Sequence, residues 1–114
     1  MKKILALGVL FSVGTVFSVG YAAIPEGSAT GTQAVAIGDN SVASGSFSVA
    51  AGEGAIASGD MAIAVGNTAV ASGFSSQAIG ESAKASGAMS AAFGYGAEAS
   101  GNYSLAMGMN SEAR

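Results

Sequence analysis

From residue 31 onward, small and larger side chains alternate along the chain in a seven-residue register. When each heptad is numbered so that its glycine is position 7, position 5 is always Ala and position 3 is always Ala or Ser. Larger and more variable residues occupy positions 2, 4 and 6. This alternation predicts a strand over positions 2 to 6, with positions 3 and 5 on one face and the variable positions on the other.

A glycine closes each of these heptads and is predicted to form the turn together with the residue that follows it. Glycine suits a turn that needs a positive φ or a close approach between backbones. The twelve turn glycines are Gly31, Gly38, Gly45, Gly52, Gly59, Gly66, Gly73, Gly80, Gly87, Gly94, Gly101 and Gly108.

Position 6 shows that the true repeat is twice as long. It alternates between an apolar residue, as at Ile37, and serine, as at Ser44, so the unit has fourteen residues and two unlike halves. Each unit is predicted to form one coil of a flattened, all-β parallel β-solenoid, with two strands back to back over an Ala/Ser interior. The units are 32–45, 46–59, 60–73, 74–87, 88–101 and 102–114, the last without a closing glycine.

Other seven-residue or glycine-rich architectures fit the pattern poorly. A coiled coil needs apolar positions three and four apart, whereas the variable apolar positions here are 4 and 6. Each glycine in a helix would also cost about 1 kcal/mol relative to alanine. Collagen needs glycine at every third residue together with abundant proline, and this chain has one proline. The left-handed β-helix of hexapeptide acyltransferases has a period of six.

The two outward faces of the predicted coil differ in polarity. In the first half, positions 4 and 6 are broadly apolar, whereas position 6 of the second half is serine until Arg114. A long exposed apolar face predicts self-association, and strand propensity alone does not explain why only one half is apolar. The predicted interface residues are Val35, Ile37, Val49, Ile63, Val65, Ile79, Phe93, Leu105 and Met107, and Phe47, Met61, Met89 and Tyr103 at position 2 are assigned to interface packing too.

The segment that precedes the repeats resembles a secretory signal peptide over residues 1–22. Two lysines are followed by an uncharged apolar stretch and by small residues that favour cleavage after Ala22, with cleavage after Ala23 as the alternative. The apolar run is shorter than the roughly 20 residues of a spanning helix, which disfavours a membrane anchor. Residues 23–31 are then an N-terminal lead-in that caps the first coil.

Composition excludes several classes of chemistry. With no cysteine and no histidine, the chain has no disulfide, no thiol nucleophile and no histidine base. Removal of the signal peptide leaves two basic residues, Lys84 and Arg114, against seven acidic residues, a net charge of −5. Such a chain is not expected to bind nucleic acid. We expect no catalytic residue, no cofactor and no enzyme activity.

Two local sequence patterns resemble ligand-binding sites, and both resemblances are weak. Glycine-X-glycine at 52–54 and 94–96 resembles part of a nucleotide-binding loop, but the sequence that follows does not match one, so turn glycines are favoured. Asp39, Glu53 and Glu81 share one turn position and form either a solvated acidic edge or a calcium-binding row. The solvated edge is favoured, because no multidentate loop accompanies them and no metal site is expected.

The repeats themselves resemble a known family. The segments Gln-Ala-Val-Ala-Ile-Gly at 33–38 and Asn-Ser-Val-Ala-Ser-Gly at 40–45 are similar to the head repeats of trimeric autotransporter adhesins, the YadA-like family, and the likeness extends over residues 31–114. The resemblance implies a left-handed parallel β-roll and a homotrimer around a common axis. It also implies display on a Gram-negative surface and attachment to host surfaces, to extracellular matrix such as collagen, or to other bacterial cells.

Family members continue into a coiled-coil stalk and a membrane-anchoring domain, whereas this sequence stops at Arg114 within a repeat. We therefore expect either a truncated or fragmentary form, or a product that works without its own anchor. Such a product reaches the cell surface or the medium if an anchor is supplied elsewhere, and otherwise stays in the periplasm.

Three functions follow from these observations. An adhesion module is favoured, and a passive fibre or spacer segment is the alternative. The third is ice binding through the serine ladder of the second half, which the charged residues Lys84, Glu98 and Glu112 beside it disfavour. The ladder consists of Ser44, Ser58, Ser72, Ser86 and Ser100.

Overall fold

The computed structural model describes residues 27–114. The predicted signal peptide at 1–22, with its cleavage site, lies outside the described residues, as does the first part of the lead-in. In the described part, short parallel strands form two sheets of six and seven strands. The all-β class that the alternation predicts is confirmed.

The six-stranded sheet collects the first half of every coil, and its strands have three residues each. They are Val35–Ile37, Val49–Ala51, Ile63–Val65, Gln77–Ile79, Ala91–Phe93 and Leu105–Met107. The seven-stranded sheet collects the second halves in strands of two residues. They are Ser28–Ala29, Val42–Ala43, Ile56–Ala57, Val70–Ala71, Lys84–Ala85, Glu98–Ala99 and Glu112–Ala113.

Every strand pairs with the strand one coil away, in a register of fourteen residues. Val35 lies opposite Val49, for example, and Lys84 lies between Val70 and Glu98. The chain is therefore a parallel β-solenoid with fourteen-residue coils, as the sequence predicts.

Alanine fills the interior between the two sheets. The position-5 alanines from Ala43 to Ala99 are fully buried, and the largest fully buried side chains are serines. Two sheets that approach this closely leave no volume for a larger side chain, which is why the repeat admits only Ala and Ser at positions 3 and 5. Such a core removes little apolar surface per residue from water, and each Å² contributes only about 25 cal/mol.

Buried serines at position 3 satisfy their hydroxyls within the turn that precedes them. The Oγ of Ser48 donates to the carbonyl oxygen of Gly45 at 2.6 Å, and that of Ser90 donates to Gly87 at 2.7 Å. The Oγ of Ser76 is equally buried but has no partner. Position 3 therefore accepts Ala or Ser, because the fold at this position does not depend on the hydroxyl.

The strands are shorter than predicted, because position 2 belongs to the turn. Its non-glycine residues have left-handed backbones, with φ of 62° at Asn40 and 58° at Phe47. Each turn runs from the glycine to position 3, whose N–H donates to the glycine carbonyl, as Ser48 does to Gly45 at 3.3 Å. A chain that reverses direction every seven residues needs four of them for the turn.

This geometry corrects the assignment of all position-2 residues to a sheet face. Position 2 of the first half lies instead on the turns at one edge of the solenoid. The four residues there that were assigned to interface packing are Phe47, Met61, Met89 and Tyr103.

Both reasons for a turn glycine are present. Gly52 has a φ of 129°, and a Cβ placed on it would lie 2.6 Å from the carbonyl oxygen of Gly66 in the next coil. Gly45 has no such φ, but a Cβ there would collide with the backbone of Gly59. The requirement for glycine is thus confirmed at the close approach of successive coils.

The seven-stranded sheet begins within the predicted lead-in. Ser28 and Ala29 pair in register with Val42 and Ala43. These two residues continue the ladder by one strand beyond the first coil.

Candidate interaction surfaces

The outward side of the six-stranded sheet, which we call the apolar face, consists of two ladders of side chains. At position 4 the ladder is Val35, Val49, Ile63, Gln77, Ala91 and Leu105; at position 6 it is Ile37, Ala51, Val65, Ile79, Phe93 and Met107. Gln77 is the one polar member of the twelve. The parallel register brings the nine predicted interface residues onto this one face.

The apolar face is open to solvent in the isolated chain. Val35 and Ile37 are each 45% exposed, and Met107 is 65% exposed. Val49 and Ile63, in the middle of the ladder, are half-buried. An exposed apolar surface of this length is characteristic of a contact with another molecule.

The outward side of the seven-stranded sheet, which we call the serine face, is more polar than the apolar face, and its composition changes along the solenoid. The position-6 serines of the first five coils are all exposed, and Arg114 takes their place in the last coil. The position-4 residues are aliphatic from Val42 to Val70 and charged from Lys84 to Glu112. In register, the position-4 ladder is Ser28, Val42, Ile56, Val70, Lys84, Glu98 and Glu112.

Two ion pairs organise the charged end of the serine face. Lys84 Nζ lies 3.7 Å from Glu98 Oε2, and Arg114 Nη2 donates to Glu112 Oε1 at 3.1 Å. Lys84, Glu112 and Arg114 are largely exposed and Glu98 is half-buried, so each pair contributes only about 0–1 kcal/mol. The pairs offset the repulsion of the in-register neighbours Glu98 and Glu112.

The two edges of the solenoid carry different side chains, although position 2 has a left-handed backbone on both. The edge whose turns lead into the six-stranded sheet, which we call the apolar edge, carries an exposed Phe, Met or Tyr at position 2 of four of its six turns, whereas the opposite edge has its exposed Tyr95 and Met109 at position 1. Its turn pairs at positions 1 and 2 are Thr32–Gln33, Ser46–Phe47, Asp60–Met61, Phe74–Ser75, Ala88–Met89 and Asn102–Tyr103. The opposite edge, which we call the polar edge, consists of Asp39–Asn40, Glu53–Gly54, Asn67–Thr68, Glu81–Ser82, Tyr95–Gly96 and Met109–Asn110.

The acidic row of the polar edge is interrupted. Asn67 lies between Glu53 and Glu81 on successive coils, and its Nδ2 donates to Glu53 Oε1 at 3.0 Å. Over residues 27–114 no three acidic, histidine or cysteine side chains converge to hold a metal ion. Asp39, Glu53 and Glu81 are all exposed.

A comparison with protein-family models identifies the repeats. The model described as the YadA head domain repeat matches residues 29–55, 57–76, 71–94 and 85–111, which together span most of the solenoid. The chain belongs to the YadA head-repeat family. YadA head repeats are typical of trimeric autotransporter adhesins, so the solenoid is an adhesin head module of a family that is generally non-enzymatic.

Two further observations accompany the assignment to the YadA head-repeat family. No curated protein matches the chain. Between residues 27 and 114, no helix has the length and apolarity needed to cross a membrane.

Sequence reasoning missed the contrast between the two edges, although the sequence carries a signal for it. Asn and Gly recur at position 2 of the second half, as at Asn40 and Gly54, and these residues favour left-handed turns. Bulky residues such as Phe47 and Met61 at the equivalent position of the first half concealed the turn, because they are typical of strands.

Proposed function

We propose that this protein is the head of an exported adhesin, and that three copies pack around a common axis through their apolar faces. The proposed coils are left-handed, as in the YadA-like head repeats that the sequence resembles. The head attaches the cell to a host surface, to extracellular matrix, or to another cell. Membership of the YadA head-repeat family supports the adhesive role.

The single observation that supports assembly is the exposure of the apolar face. Ile37, Val65 and Ile79 lie in one register on its position-6 ladder and are 45%, 37% and 39% exposed. Alanine burial alone gives a weak core, so covering this face supplies much of the free energy of folding. Burial against identical chains removes the face from water in every copy at once.

The surfaces left outside such an assembly are the ones available to a ligand. The serine face offers exposed hydroxyls beside an aliphatic ladder at Val42, Ile56 and Val70, followed by a stretch of paired charges that contains Glu98 and Glu112. These groups suit hydrogen bonding and apolar contact with an extended polymer, and the negative net charge disfavours polyanions.

A solid-phase binding assay tests the adhesive role. The assembled head is applied to immobilised collagen, to other matrix proteins and to whole cells, with an Ile56→Glu/Ser58→Glu variant of the serine face as the matched control. The proposal predicts saturable binding that the variant weakens. A head that stays assembled and binds none of these surfaces contradicts the adhesive role and favours a spacer.

Export is a separate element of the proposal. We propose that residues 1–22 direct secretion and are removed after Ala22, with Ala23 as the alternative site, and that the head reaches the cell surface. Mass spectrometry of the protein recovered from the cell envelope measures the new N-terminus. A chain that retains Met1 in the cytoplasm contradicts this element and leaves the assembly untouched.

A further inference from the structure

The apolar edge combines two unfavourable features in the isolated chain. Phe47, Met61, Met89 and Tyr103 all have left-handed backbones, with φ of 58°, 58°, 54° and 61°. Their side chains are also exposed, from 45% at Met61 to 74% at Tyr103. A left-handed backbone costs a side chain with a Cβ about 1–2 kcal/mol, and an exposed ring or thioether recovers none of this.

The polar edge shows that the backbone alone does not demand such residues. Its position-2 residues occupy the same conformation, with φ of 62° at Asn40, 69° at Gly54 and 66° at Gly96. Asn and Gly are the residues that tolerate this conformation best. The large side chains of the apolar edge therefore need a contact that the single chain does not provide.

In two coils, 46–59 and 88–101, the sizes of the turn residues on the two edges are complementary. In coil 46–59 the apolar edge presents Ser46 and Phe47, small then large, while the polar edge presents Glu53 and Gly54, large then small. The two edges lie on opposite sides of the same coil, so these residues do not touch within one chain.

Coil 88–101 shows the same reciprocal order of sizes. Ala88 and Met89 stand on the apolar edge, and Tyr95 and Gly96 stand on the polar edge. In these two coils a large side chain on one edge thus stands at the same height along the solenoid as a glycine on the other, whereas the residue at the height of Met61 is Thr68 and the one at the height of Tyr103 is Asn110.

We propose that the apolar edge of each copy packs against the polar edge of the next copy in the ring. Phe47 then lies over the partner subunit's Gly54, and Met89 over the partner subunit's Gly96. A closed ring formed by rotation alone keeps equal coils at equal height, so complementary residues of one coil meet across copies. This seam rests on the proposed assembly and adds a contact outside the apolar face.

Cysteine pairs test the seam directly, because the chain contains no cysteine of its own. The Phe47→Cys/Gly54→Cys variant of the full chain is assembled and then oxidised with copper phenanthroline. Gly54 has room for the change, since a Cβ there lies 3.5 Å from the nearest atom, Thr68 Cγ2. Disulfides need Cα atoms about 4.4–6.8 Å apart, so the seam predicts covalent trimers on a non-reducing denaturing gel.

Two matched controls fix the geometry. Phe47→Cys alone should give no crosslink, because two apolar edges never meet in a ring that runs in one direction. Phe47→Cys/Ser82→Cys places the second thiol two coils away, a separation of about 10 Å along the stack, and should not crosslink either. Covalent dimers from Phe47→Cys alone would overturn the seam, since they would mean that each apolar edge meets its own kind.

A substitution that relieves backbone strain tests the seam without a crosslink, through the direction in which the melting temperature changes. Phe47→Asn puts a residue suited to the left-handed region at an exposed apolar site. If the edge faces solvent, the melting temperature of the assembly should rise, and this rise would overturn the seam. The seam predicts a fall of several degrees for Phe47→Asn, and little change for Ser82→Asn on the polar edge.

Sedimentation of each variant separates the two proposals. Intact trimers that give no crosslink from Phe47→Cys/Gly54→Cys, and a higher melting temperature for Phe47→Asn, overturn the seam and leave the proposed assembly standing. A wild-type chain that sediments as a monomer overturns the assembly, and the seam with it. Trimers with the crosslink and the lower melting temperature are the expected result.

Discussion

Gly52 lies so close to Gly66 of the next coil that a Cβ on Gly52 would stand 2.6 Å from the Gly66 carbonyl oxygen. The same stacking recurs at the turn glycines from Gly31 to Gly94. This stacking explains why the chain has a ladder of glycines as well as an alanine interior. The two sheets leave room only for small side chains between them, and the successive turns leave room for none.

The first prediction concerns this close approach. Gly52→Ala should destabilise the solenoid by at least about 1–3 kcal/mol, because it forces both a φ of 129° and a backbone collision. Gly54→Ala is the matched control two residues away. It has a φ of 69°, and its Cβ would make only an ordinary contact, 3.5 Å from Thr68 Cγ2, so it should cost about 1 kcal/mol. Equal losses in denaturant unfolding would contradict the role assigned to coil stacking.

The second prediction concerns the interior. Ala64→Leu and Ala78→Leu each place a larger side chain between two sheets that are spaced for alanine, where both alanines are fully buried. Overpacking of this kind typically costs 1–3 kcal/mol. Ser72→Leu, on the exposed serine face, should change the free energy of unfolding by less than about 0.5 kcal/mol. Thermal melts that rank Ser72→Leu with the two alanine variants would refute the inside and outside assignment.

The third prediction separates two buried serines. Ser48→Ala removes a hydroxyl that donates to the Gly45 carbonyl at 2.6 Å and should cost about 0.5–1.5 kcal/mol. Ser76→Ala removes a buried hydroxyl without a partner and should be neutral or stabilising. Chemical denaturation of the two variants under one set of conditions measures the difference. A larger loss for Ser76→Ala would mean that its hydroxyl has a partner.

Much of this fold follows from the sequence because its period is strict. Ala at position 5 and Ala or Ser at position 3 are what a two-sheet interior without spare volume admits. The fourteen-residue register then follows, since it alone stacks Ile37 and Val65 on one face and Ser44 and Ser58 on the other. Strand alternation also brings the nine predicted interface residues together.

The turns were less predictable, for a physical reason. Alternation predicts which side of a sheet a residue occupies. It does not show that position 2 has a left-handed backbone when the side chain there is large and apolar, as in a strand. Phe47 and Met61 carry such side chains, and only Asn40 and Gly54 at the equivalent position of the other half indicate the turn. The two edges differ in the side chains at position 2, whereas the position-2 backbone is left-handed on both.

The central claim is that the apolar face is covered by identical chains, and sedimentation of the assembled protein tests it most directly. The wild-type chain should sediment as a homotrimer. Ile37→Asp, Val65→Asp and Ile79→Asp together put three carboxylates on that face and should unfold the chain, because the Ala/Ser interior alone does not hold it together. A wild-type chain that sediments as a folded, monodisperse monomer, or a triple variant that does so, would contradict the account.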